Sequence, residues 1–540
     1  MADSLASVID QLTSISHFLS QPLVSTLFHY HPNNLGQSSF DPPPEWEGWW
    51  DWAGGECEAE VGTELDDPWL LLLKFYDSRV SGHECSDKTS SVPPILRSLI
   101  NDACRLALPR DIGYVYPDGR CSITQLPNDL KSQALPGMSP KKAHEVVQMV
   151  GFLETLLSFQ SSLGSLNHVV DIGAGQVRRT FHMRAYVSRM LRDRLNLHVL
   201  ALDWSEVQKR GASRKDASKI ARRARPTQRE VVNADTASPA SDTRRTALGP
   251  KAGSMTYVTT RIDADSLVSA TDAWVEDRQA VISNNDATPE VTPVLFIGLH
   301  ACGSLTTDII RAFLSARRAG TSLRSTSWMP HGAVIVGCCY NLMRSEDFPL
   351  SRTVRSCSPD SVTFCLSPSH LQLAAQVPSQ WLRSQQSLGS ARLAMRKIAW
   401  RALLEDHLQE TQDDVGHERL GSEANDGGTA EMHRNRRKRL GRLNDQAFAN
   451  WETFADVVRT KLHLQLADWS RPPSRVERRI EVMHMLRCIV GPVVEAYILL
   501  DRFAWITEEL KGTPMAVELV NLFDQASGSG RNIAIVIHPS

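Results

Sequence analysis

The sequence predicts an α/β protein with a doubly wound sheet, an N-terminal helical region, helical insertions and a C-terminal β-hairpin. Five short apolar runs rich in valine and isoleucine recur along the chain, with helical segments between them. These runs lack polar alternation, which is typical of parallel strands buried on both faces. Alternating strands and helices that end in a hairpin are the pattern of a doubly wound fold.

Each predicted element rests on a definite stretch. The five strand runs are HVVDIG at 168–173, HVLALDW at 198–204, TYVTTRI at 256–262, VLFIGLH at 294–300 and GAVIVGCC at 332–339. Between them, residues 185–195 and 305–318 have the apolar spacing of amphipathic helices. Near the end of the chain, 516–524 and 531–539 flank a Gly/Ser turn and predict the hairpin.

Changes in composition divide the chain into four segments. They are a mostly helical accessory region at 1–135, the core with the first five strands at 136–345, a helical insertion at 346–480, and a C-terminal helix and hairpin at 481–540 that complete the sheet. Residues 233–254 and 409–431 are poor in aromatics and rich in Gly, Ser, Asp and Thr, so we expect disordered loops there. The tryptophan-rich stretch at 40–55 suits either a peptide-binding platform or interior packing, and we expect interior packing.

Composition and charge exclude several classes of protein. The net charge is −2, so nucleic-acid binding requires local basic patches rather than a global field. Ten irregularly spaced cysteines do not suggest a disulfide framework and indicate reduced thiols in a cytoplasmic or nuclear protein. Residues 1–20 lack the basic start of a secretory signal. The apolar stretch 488–506 carries Glu495, Asp501 and Arg502, which favours a buried helix over a membrane span.

The residues that end each strand run are the candidate ligand-binding groups, because doubly wound sheets bind ligands at the carboxyl ends of their strands. The first turn holds Asp171, Gly173 and Gly175, and its glycines let the backbone approach a ligand closely. Asp203 ends the second run, where a carboxylate accepts hydrogen bonds from ribose hydroxyls. Asp263 follows the third run and is placed to accept a hydrogen bond from an adenine amino group. Together these positions predict a nucleoside cofactor.

The glycine turn is unusual because a third glycine does not follow Gly175. Asp203 lies 28 positions beyond Gly175, whereas the ribose acid is expected about 20 residues beyond the glycine loop. Removing VRRTFHMRA at 177–185 restores that spacing and joins the turn to an amphipathic helix. We therefore interpret 177–185 as an insertion, either a lineage-specific loop or a gene-model error.

Eight motifs together point to one family. They are GMSPKKAHEV at 137–146, VVDIGAGQ at 169–176, GLHACGSLT at 298–306, VGCCYN at 336–341, FPLS at 348–351, RRKRLGRL at 436–443, LLDRFAWITE at 499–508 and LFD…GRNIAIV within 522–536. This set resembles the methyltransferase-like 25 family, whose relatives include a protein named for a ribosomal RNA adenine dimethylase domain. The resemblance runs from about residue 135 to the C-terminus and implies a Rossmann-like class I methyltransferase sheet that binds S-adenosylmethionine. The chain departs from the family at the missing glycine and at SGSGRN, where the family tends to have a Ser-Pro-Arg-Asn turn.

Three further candidate site residues lie within these motifs. Methyltransferases keep the groups that orient the acceptor atom after the fourth strand, which makes His300 and Cys302 the candidate catalytic residues, with His300 either as general base or as the group that holds the substrate. The alternative is structural, with His300 bound to a loop carbonyl and Cys302 filling the core. Lys142 lies near a helix start capped by Ser139, where it is placed to bind the methionyl carboxylate; a solvated lysine is the alternative.

A metal is not expected. His300, Cys302, Cys338 and Cys339 are suitable zinc ligands by type, but their spacing is unusual and adjacent cysteines seldom both bind one ion.

Two observations favour RNA as the acceptor. A His-x-Cys-Gly turn followed by a double cysteine is similar to a transfer-RNA 2′-O-methyltransferase family. The basic clusters at 214–229 and 433–442 suit phosphate contacts. The alternatives for these clusters are a nuclear-import signal, a solvated helix face or, in the second cluster, core pairing of Arg439 and Arg442 with acids such as Glu495 or Asp501.

The leading hypothesis is thus an S-adenosylmethionine-dependent methyltransferase that acts on RNA. One alternative is a catalytically impaired methyltransferase fold that serves as a scaffold, which the insertion at 177–185 favours. A protein methyltransferase is the other alternative. The sequence gives no indication of oligomeric state.

Overall fold

The computed structural model describes most of the chain, with gaps in the connecting segments. The described residues are 2–35, 40–55, 67–82, 90–116, 138–159, 166–174, 185–204, 253–282, 291–321, 327–356, 365–419, 440–462 and 474–540. Gly175, most of the insertion at 177–185, the whole basic cluster at 214–229 and most of the cluster at 433–442 lie outside this part of the chain.

The fold is built around one eight-stranded sheet. Its strands are β1 (Gly113–Tyr116), β2 (His168–Ile172), β3 (His198–Asp203), β4 (Met255–Thr259), β5 (Thr292–Cys302), β6 (Trp328–Cys338), β7 (Met515–Asn521) and β8 (Ile533–Pro539). Their spatial order is β1-β7-β8-β6-β5-β2-β3-β4. The five predicted strand runs correspond to β2 through β6, which pair in parallel.

The predicted hairpin is confirmed. Strands β7 and β8 pair antiparallel, and β8 also pairs antiparallel with β6. One edge strand was not predicted: β1, from the region interpreted as mostly helical, pairs antiparallel with β7. The parallel strands and the terminal hairpin together give the predicted doubly wound, Rossmann-like sheet.

Helices make up most of the remaining described structure. They are α1 (Ala2–Ser20), α2 (Pro22–His29), α3 (Trp50–Gly54), α4 (Pro68–Ser81), α5 (Pro94–Leu106), α6 (Pro140–Phe159), α7 (Tyr186–Leu195), α8 (Ala264–Ile282), α9 (Leu305–Thr321), α10 (Arg352–Ser356), α11 (Pro368–Leu373), α12 (Gln385–Arg419), α13 (Trp451–Leu462) and α14 (Ser474–Glu509). Helix α7 begins at Tyr186, immediately after the proposed insertion, as the interrupted pattern predicted.

Side chains on both faces of the sheet are buried. On one face, Leu295 and Ile297 of β5 belong to a core formed with α6 and α7. On the other, the ring of Phe296 packs against Phe313 of α9 and Trp328 of β6. Successive strand residues alternate between the faces, so apolar side chains at all three positions place β5 between two helical layers.

The chain separates into two compact units whose limits differ from the predicted segments. One unit comprises 1–16, 108–375 and 494–540, and it contains the sheet; the other comprises 17–107 and 376–493. The second unit joins N-terminal helices to the later helical insertion, which a division into consecutive segments did not anticipate. Its Trp46 and Trp49 are fully buried, so the expected interior packing of the tryptophan-rich stretch is confirmed.

The prediction of a disordered loop at 409–431 is wrong for the first eleven residues of that range. Helix α12 continues through Arg419, so 409–419 are helical. Two Glu, two Gln and one Arg in the segment QETQDDVGHER are good helix formers, and they continue a helix that has already formed from Gln385. Residues 420–431 lie outside the described structure.

Helix α14 is long and apolar enough to pass a length-and-composition test for a membrane span. Its most apolar window is 94% buried in the fold, which is the environment of a core helix. Glu495 accepts hydrogen bonds from Arg110 and Tyr340, and Asp501 accepts them from Leu350 and Ser351. Among the described residues these are the hydrogen-bond partners of the two acids, and Arg439 lies outside the described part of the chain.

Candidate active site at the carboxyl edge of the sheet

The turn after β2 has the conformation that its glycine predicts. Gly173 has φ +79°, in the left-handed region that favours glycine. The backbone N–H groups of Gly173 and Ala174 both donate to the carbonyl of Leu202, at 2.9 and 3.1 Å, and this fixes the turn against β3. A Cβ at Gly173 would lie 3.7 Å from the carbonyl oxygen of His300. The turn therefore lies between the ends of β3 and β5.

Asp171 supports this turn from beneath. Its side chain is buried and accepts a hydrogen bond from the hydroxyl of Ser188 on α7. Burial raises the pKa of Asp171 to about 6, while the Ser188 hydrogen bonds oppose the rise. The carboxylate thus links the turn to the following helix, which is a supporting role for a residue predicted to bind cofactor.

Asp203 lies at the carboxyl end of β3, as predicted for a ribose-binding acid. Its Oδ1 accepts the N–H of Trp204 at 2.8 Å, and its Oδ2 accepts the Tyr257 hydroxyl at a long 3.4 Å. Burial raises the pKa of Asp203. The side chain of Trp204 is 39% exposed, which is unusual for so large an apolar ring. A carboxylate with one weak partner and an adjacent exposed ring form a surface suited to a nucleoside.

Asp263 immediately precedes helix α8. Its Oδ1 accepts the N–H of Ser266 at 2.9 Å, and the Ser266 hydroxyl accepts the N–H of Asp263 at 2.9 Å. This reciprocal pair is a helix cap. The Ser266 N–H lowers the pKa of Asp263. Asp263 therefore stabilises α8 through Oδ1, a role that the adenine-binding interpretation did not include.

The start of α6 lies near the glycine turn. Ser139 caps this helix through a 3.4 Å hydrogen bond from the N–H of Lys142, as the sequence predicted. The Lys142 ammonium lies 5.2 Å from the ring centre of Tyr186, and its charge lowers the pKa of Asp171. Lys142 thus provides positive charge beside the turn.

His300 makes a hydrogen-bonding contact that the sequence did not predict. Its Nε2 lies 3.1 Å from Oε2 of Glu145, a carboxylate on α6 that is only 3% exposed. The His300 side chain is 39% exposed. With Nε2 directed at Glu145, Nδ1 is the ring nitrogen available to exchange a proton with a substrate. The signal for Glu145 was present in the KKAHEV motif, one helical turn beyond Lys142.

Three thiols meet at the ends of β5 and β6. The sulfurs of Cys302, Cys338 and Cys339 all lie within 4.8 Å of one another, and Cys302 and Cys338 are 3.2 Å apart. Hydrogen bonding among the thiols raises the pKa of Cys338 and lowers that of Cys339. Arg531 and His300 also lower the pKa of Cys339.

The edge of the sheet thus brings Lys142, Asp171, Gly173, Asp203, Asp263, His300 and Cys302 to one side of the unit, with Gly175 outside the described residues. Glu145, Arg531 and the packing of Cys338 and Cys339 against Cys302 are additions from the structure. They could not be read from spacing, because Glu145 is 155 residues from His300 and Cys302 is 36 residues from Cys338.

Comparison with known proteins adds independent information. Residues 141–346 match a family model described as a methyltransferase domain. The proteins named probable methyltransferase-like protein 25 from Homo sapiens and Mus musculus are each 24% identical to this chain over 262 residues. Each alignment covers 44% of this chain and 36% of the relative, so only about a third of those proteins is matched. No solved structure matches.

Proposed function

Because the chain has a methyltransferase domain and is related to methyltransferase-like protein 25, we propose that it transfers a methyl group from S-adenosylmethionine to RNA. The observation that carries the cofactor proposal is the placement of Gly173 and Asp203 at the ends of adjacent parallel strands. A backbone turn and a carboxylate at this edge of a doubly wound sheet are the groups that bind a nucleoside.

The described residues fit such a cofactor. The Asp203 carboxylate has a weakly held oxygen for ribose hydroxyls, and the exposed Trp204 ring offers a face for a purine base. Lys142 adds a cation near the turn for the methionyl carboxylate. Bound there, S-adenosylmethionine supplies an electrophilic methyl group on its sulfonium sulfur.

The protein's own contribution to transfer is the handling of a proton at His300. An acceptor hydroxyl or amine that takes a methyl group must lose its proton, and His300 Nδ1 is placed to accept it. The buried Glu145 carboxylate holds the imidazole by Nε2 and stabilises the imidazolium that results. Asp171 and Ser188 hold the neighbouring turn in place.

RNA as the acceptor is supported by sequence. Two basic clusters, 214–229 and 433–442, stand out on a chain with a net charge of −2, and arginine and lysine clusters of this kind bind phosphates. The His-x-Cys-Gly turn with its double cysteine adds the similarity to transfer-RNA 2′-O-methyltransferases.

Calorimetric titration with S-adenosylmethionine tests the cofactor proposal. We expect the chain to bind it in the micromolar range, and Asp203→Ala to weaken binding by roughly 1–3 kcal/mol because ribose hydrogen bonds are lost. Asp193→Ala removes an exposed carboxylate on α7 and should leave the affinity unchanged. Equal affinity in the wild type and Asp203→Ala would remove Asp203 from the site.

A second candidate function is a methyltransferase fold that binds partners without catalysis. The insertion at 177–185, directly after the glycine turn, favours it. The titration separates the two, because a scaffold with a blocked turn gives no heat of cofactor binding.

A further inference from the structure

The three thiols at the ends of β5 and β6 form a group that the proposed transfer chemistry does not use. We propose that Cys302, Cys338 and Cys339 bind one Zn²⁺ ion through their sulfurs. The proposal concerns metal binding alone, so it does not depend on the methyltransferase assignment.

The distances suit zinc. Tetrahedral zinc with Zn–S bonds of about 2.3 Å places its ligand sulfurs about 3.8 Å apart. The Cys302 and Cys338 sulfurs are 3.2 Å apart, and all three sulfurs lie within 4.8 Å of one another. Shifts of less than an ångström at each side chain therefore give the required geometry.

The backbone explains how two adjacent cysteines face one point. Consecutive residues of a strand point to opposite faces, so Cys338 and Cys339 could not meet if β6 continued in extended form. Instead, Cys339 has φ +50°, a left-handed conformation shared among the described non-glycine residues only with Asn196. This turn at the end of β6 brings the second thiol back beside the first. A non-glycine residue in this region is associated with functional sites.

The two loops that carry the thiols are fixed to each other. The Gly303 N–H donates to the carbonyl of Cys338 at 2.8 Å, and the Arg344 N–H donates to the Ser304 hydroxyl at 2.9 Å. Gly303 has φ +55°, and a Cβ there would lie 2.6 Å from the backbone of Leu342. The close approach holds the Cys302 loop against the Cys338–Cys339 turn, so the site is largely formed before any ion binds.

Charge and access also suit a cation. Cys302 is exposed, which gives an ion a path from solvent. Three thiolates around Zn²⁺ leave a net charge of −1, and Arg531 lies near enough to act electrostatically on Cys302 and Cys339. On binding, each thiol releases its proton to solvent as its sulfur bonds to the metal.

The described residues supply three of the four ligand positions of a tetrahedral site. Within the described chain, no other His, Cys, Asp or Glu atom belongs to this group. Three protein ligands with a fourth position for water or substrate are the arrangement of catalytic zinc sites, whereas structural sites use four.

Metal content of the full chain, purified reduced from zinc-supplemented cells, tests the proposal. We expect about one zinc per chain, and less than a tenth of that in Cys302→Ser and Cys339→Ser. Cys365→Ser, an exposed cysteine outside the group, is the matched control and should retain zinc.

Titration of the zinc-stripped wild type with Co²⁺ keeps the test independent of how the variants fold. We expect saturable sulfur-to-cobalt charge-transfer absorption and intense tetrahedral d–d bands. A folded, reduced wild type that takes up neither metal would overturn the proposal, as would zinc retained in the triple serine variant. S-adenosylmethionine affinity is measured separately, so a failed metal test leaves the cofactor proposal standing.

Discussion

His300 and Glu145 form the pair that most directly links the fold to chemistry. His300→Ala removes the proposed proton acceptor and should lower the rate of methyl transfer by about 10²–10⁴-fold. S-adenosylmethionine affinity should stay within a factor of two or so, because His300 makes no proposed cofactor contact. Single-turnover transfer together with calorimetry separates the two effects. Loss of cofactor binding in His300→Ala would instead make the residue part of the pocket wall.

Glu145→Gln tests the supporting half of that pair. Glutamine keeps the shape but not the charge that stabilises a protonated imidazole, so transfer should slow by less than in His300→Ala while cofactor affinity is unchanged. Glu154→Gln on the same helix, a partly exposed acid paired with Arg194, is the control and should have no effect on rate. Equal rates in the wild type and Glu145→Gln would contradict the positioning role.

Asp171 makes stability depend on pH in an unusual direction. Its pKa is raised by burial from 3.8 to about 6 in the folded protein, so the folded state binds the proton more tightly than the unfolded state. Its contribution is therefore most favourable below pH about 4 and is lost as pH rises through about 6, a change of up to about 3 kcal/mol.

Asp171→Asn removes this titration. The melting temperature of the variant relative to the wild type should increase between pH 4 and pH 7, measured without cofactor by scanning calorimetry. Asp193→Asn, exposed on α7, gives the reference. A difference in melting temperature between Asp171→Asn and the wild type that stays constant from pH 4 to pH 7 would contradict this prediction.

At the scale of elements, the motifs behind the family resemblance contact one another. The FPLS motif and helix α14 meet where Asp501 accepts the N–H groups of Leu350 and Ser351, each at 2.9 Å. About two helical turns further along α14, Glu508 accepts the N–H groups of Arg352 and Thr353 at the start of α10. These motifs are structural, since they join the loop after β6 to the core helix.

Substitution of two glycines at the sheet edge should lower the stability of the fold by different amounts. The Cβ added by Gly173→Ala would have only ordinary van der Waals contacts. The variant should therefore lose only the free energy needed to hold a non-glycine residue in the left-handed conformation, about 1–2 kcal/mol. Gly303→Ala adds a clash of its Cβ with the Leu342 backbone at 2.6 Å. We therefore expect the larger fall in melting temperature for Gly303→Ala. The reverse order would show that the loops after β5 and β6 are not held as described.

The insertion at 177–185 is also tested at this scale. Deleting it and restoring a glycine after Gln176 recreates the usual spacing between turn and ribose acid. We expect tighter S-adenosylmethionine binding and a higher melting temperature. A deletion variant that fails to fold would show that the segment belongs to the domain.

For the whole molecule, the sequence predicted the parallel strands and the hairpin because buried runs such as VLFIGLH and the turn-flanked C-terminal pair carry strong local signals. It did not predict β1, whose four residues are too short for a recognisable pattern. Likewise, the glycine turn and Asp203 follow from local motifs, whereas the Glu145–His300 contact depends on how α6 packs. Local sequence patterns could not predict contacts between residues that are far apart in the chain.

The proposed RNA binding is tested at the scale of the whole chain, because the two basic clusters lie far apart in sequence. If they contact phosphates, log K for RNA should fall linearly with log salt concentration. Replacing Arg434, Arg436 and Arg437 with alanine should flatten the slope by up to about 0.7 per lost contact on single strands. An import assay runs in parallel, since a nuclear-import signal predicts mislocalisation with an unchanged slope. A flat slope in the parent protein would remove RNA as the favoured acceptor.

The central claim is methyl transfer from S-adenosylmethionine to RNA, and transfer of a radiolabelled methyl group to purified total RNA tests it most directly. The account predicts label that grows with enzyme concentration and is released by ribonuclease but not by protease. The initial rate of labelling should fall by about 10²–10⁴-fold with His300→Ala and be retained with Asp193→Ala. Folded protein that binds S-adenosylmethionine but leaves RNA unlabelled, or label that only protease releases, would contradict it.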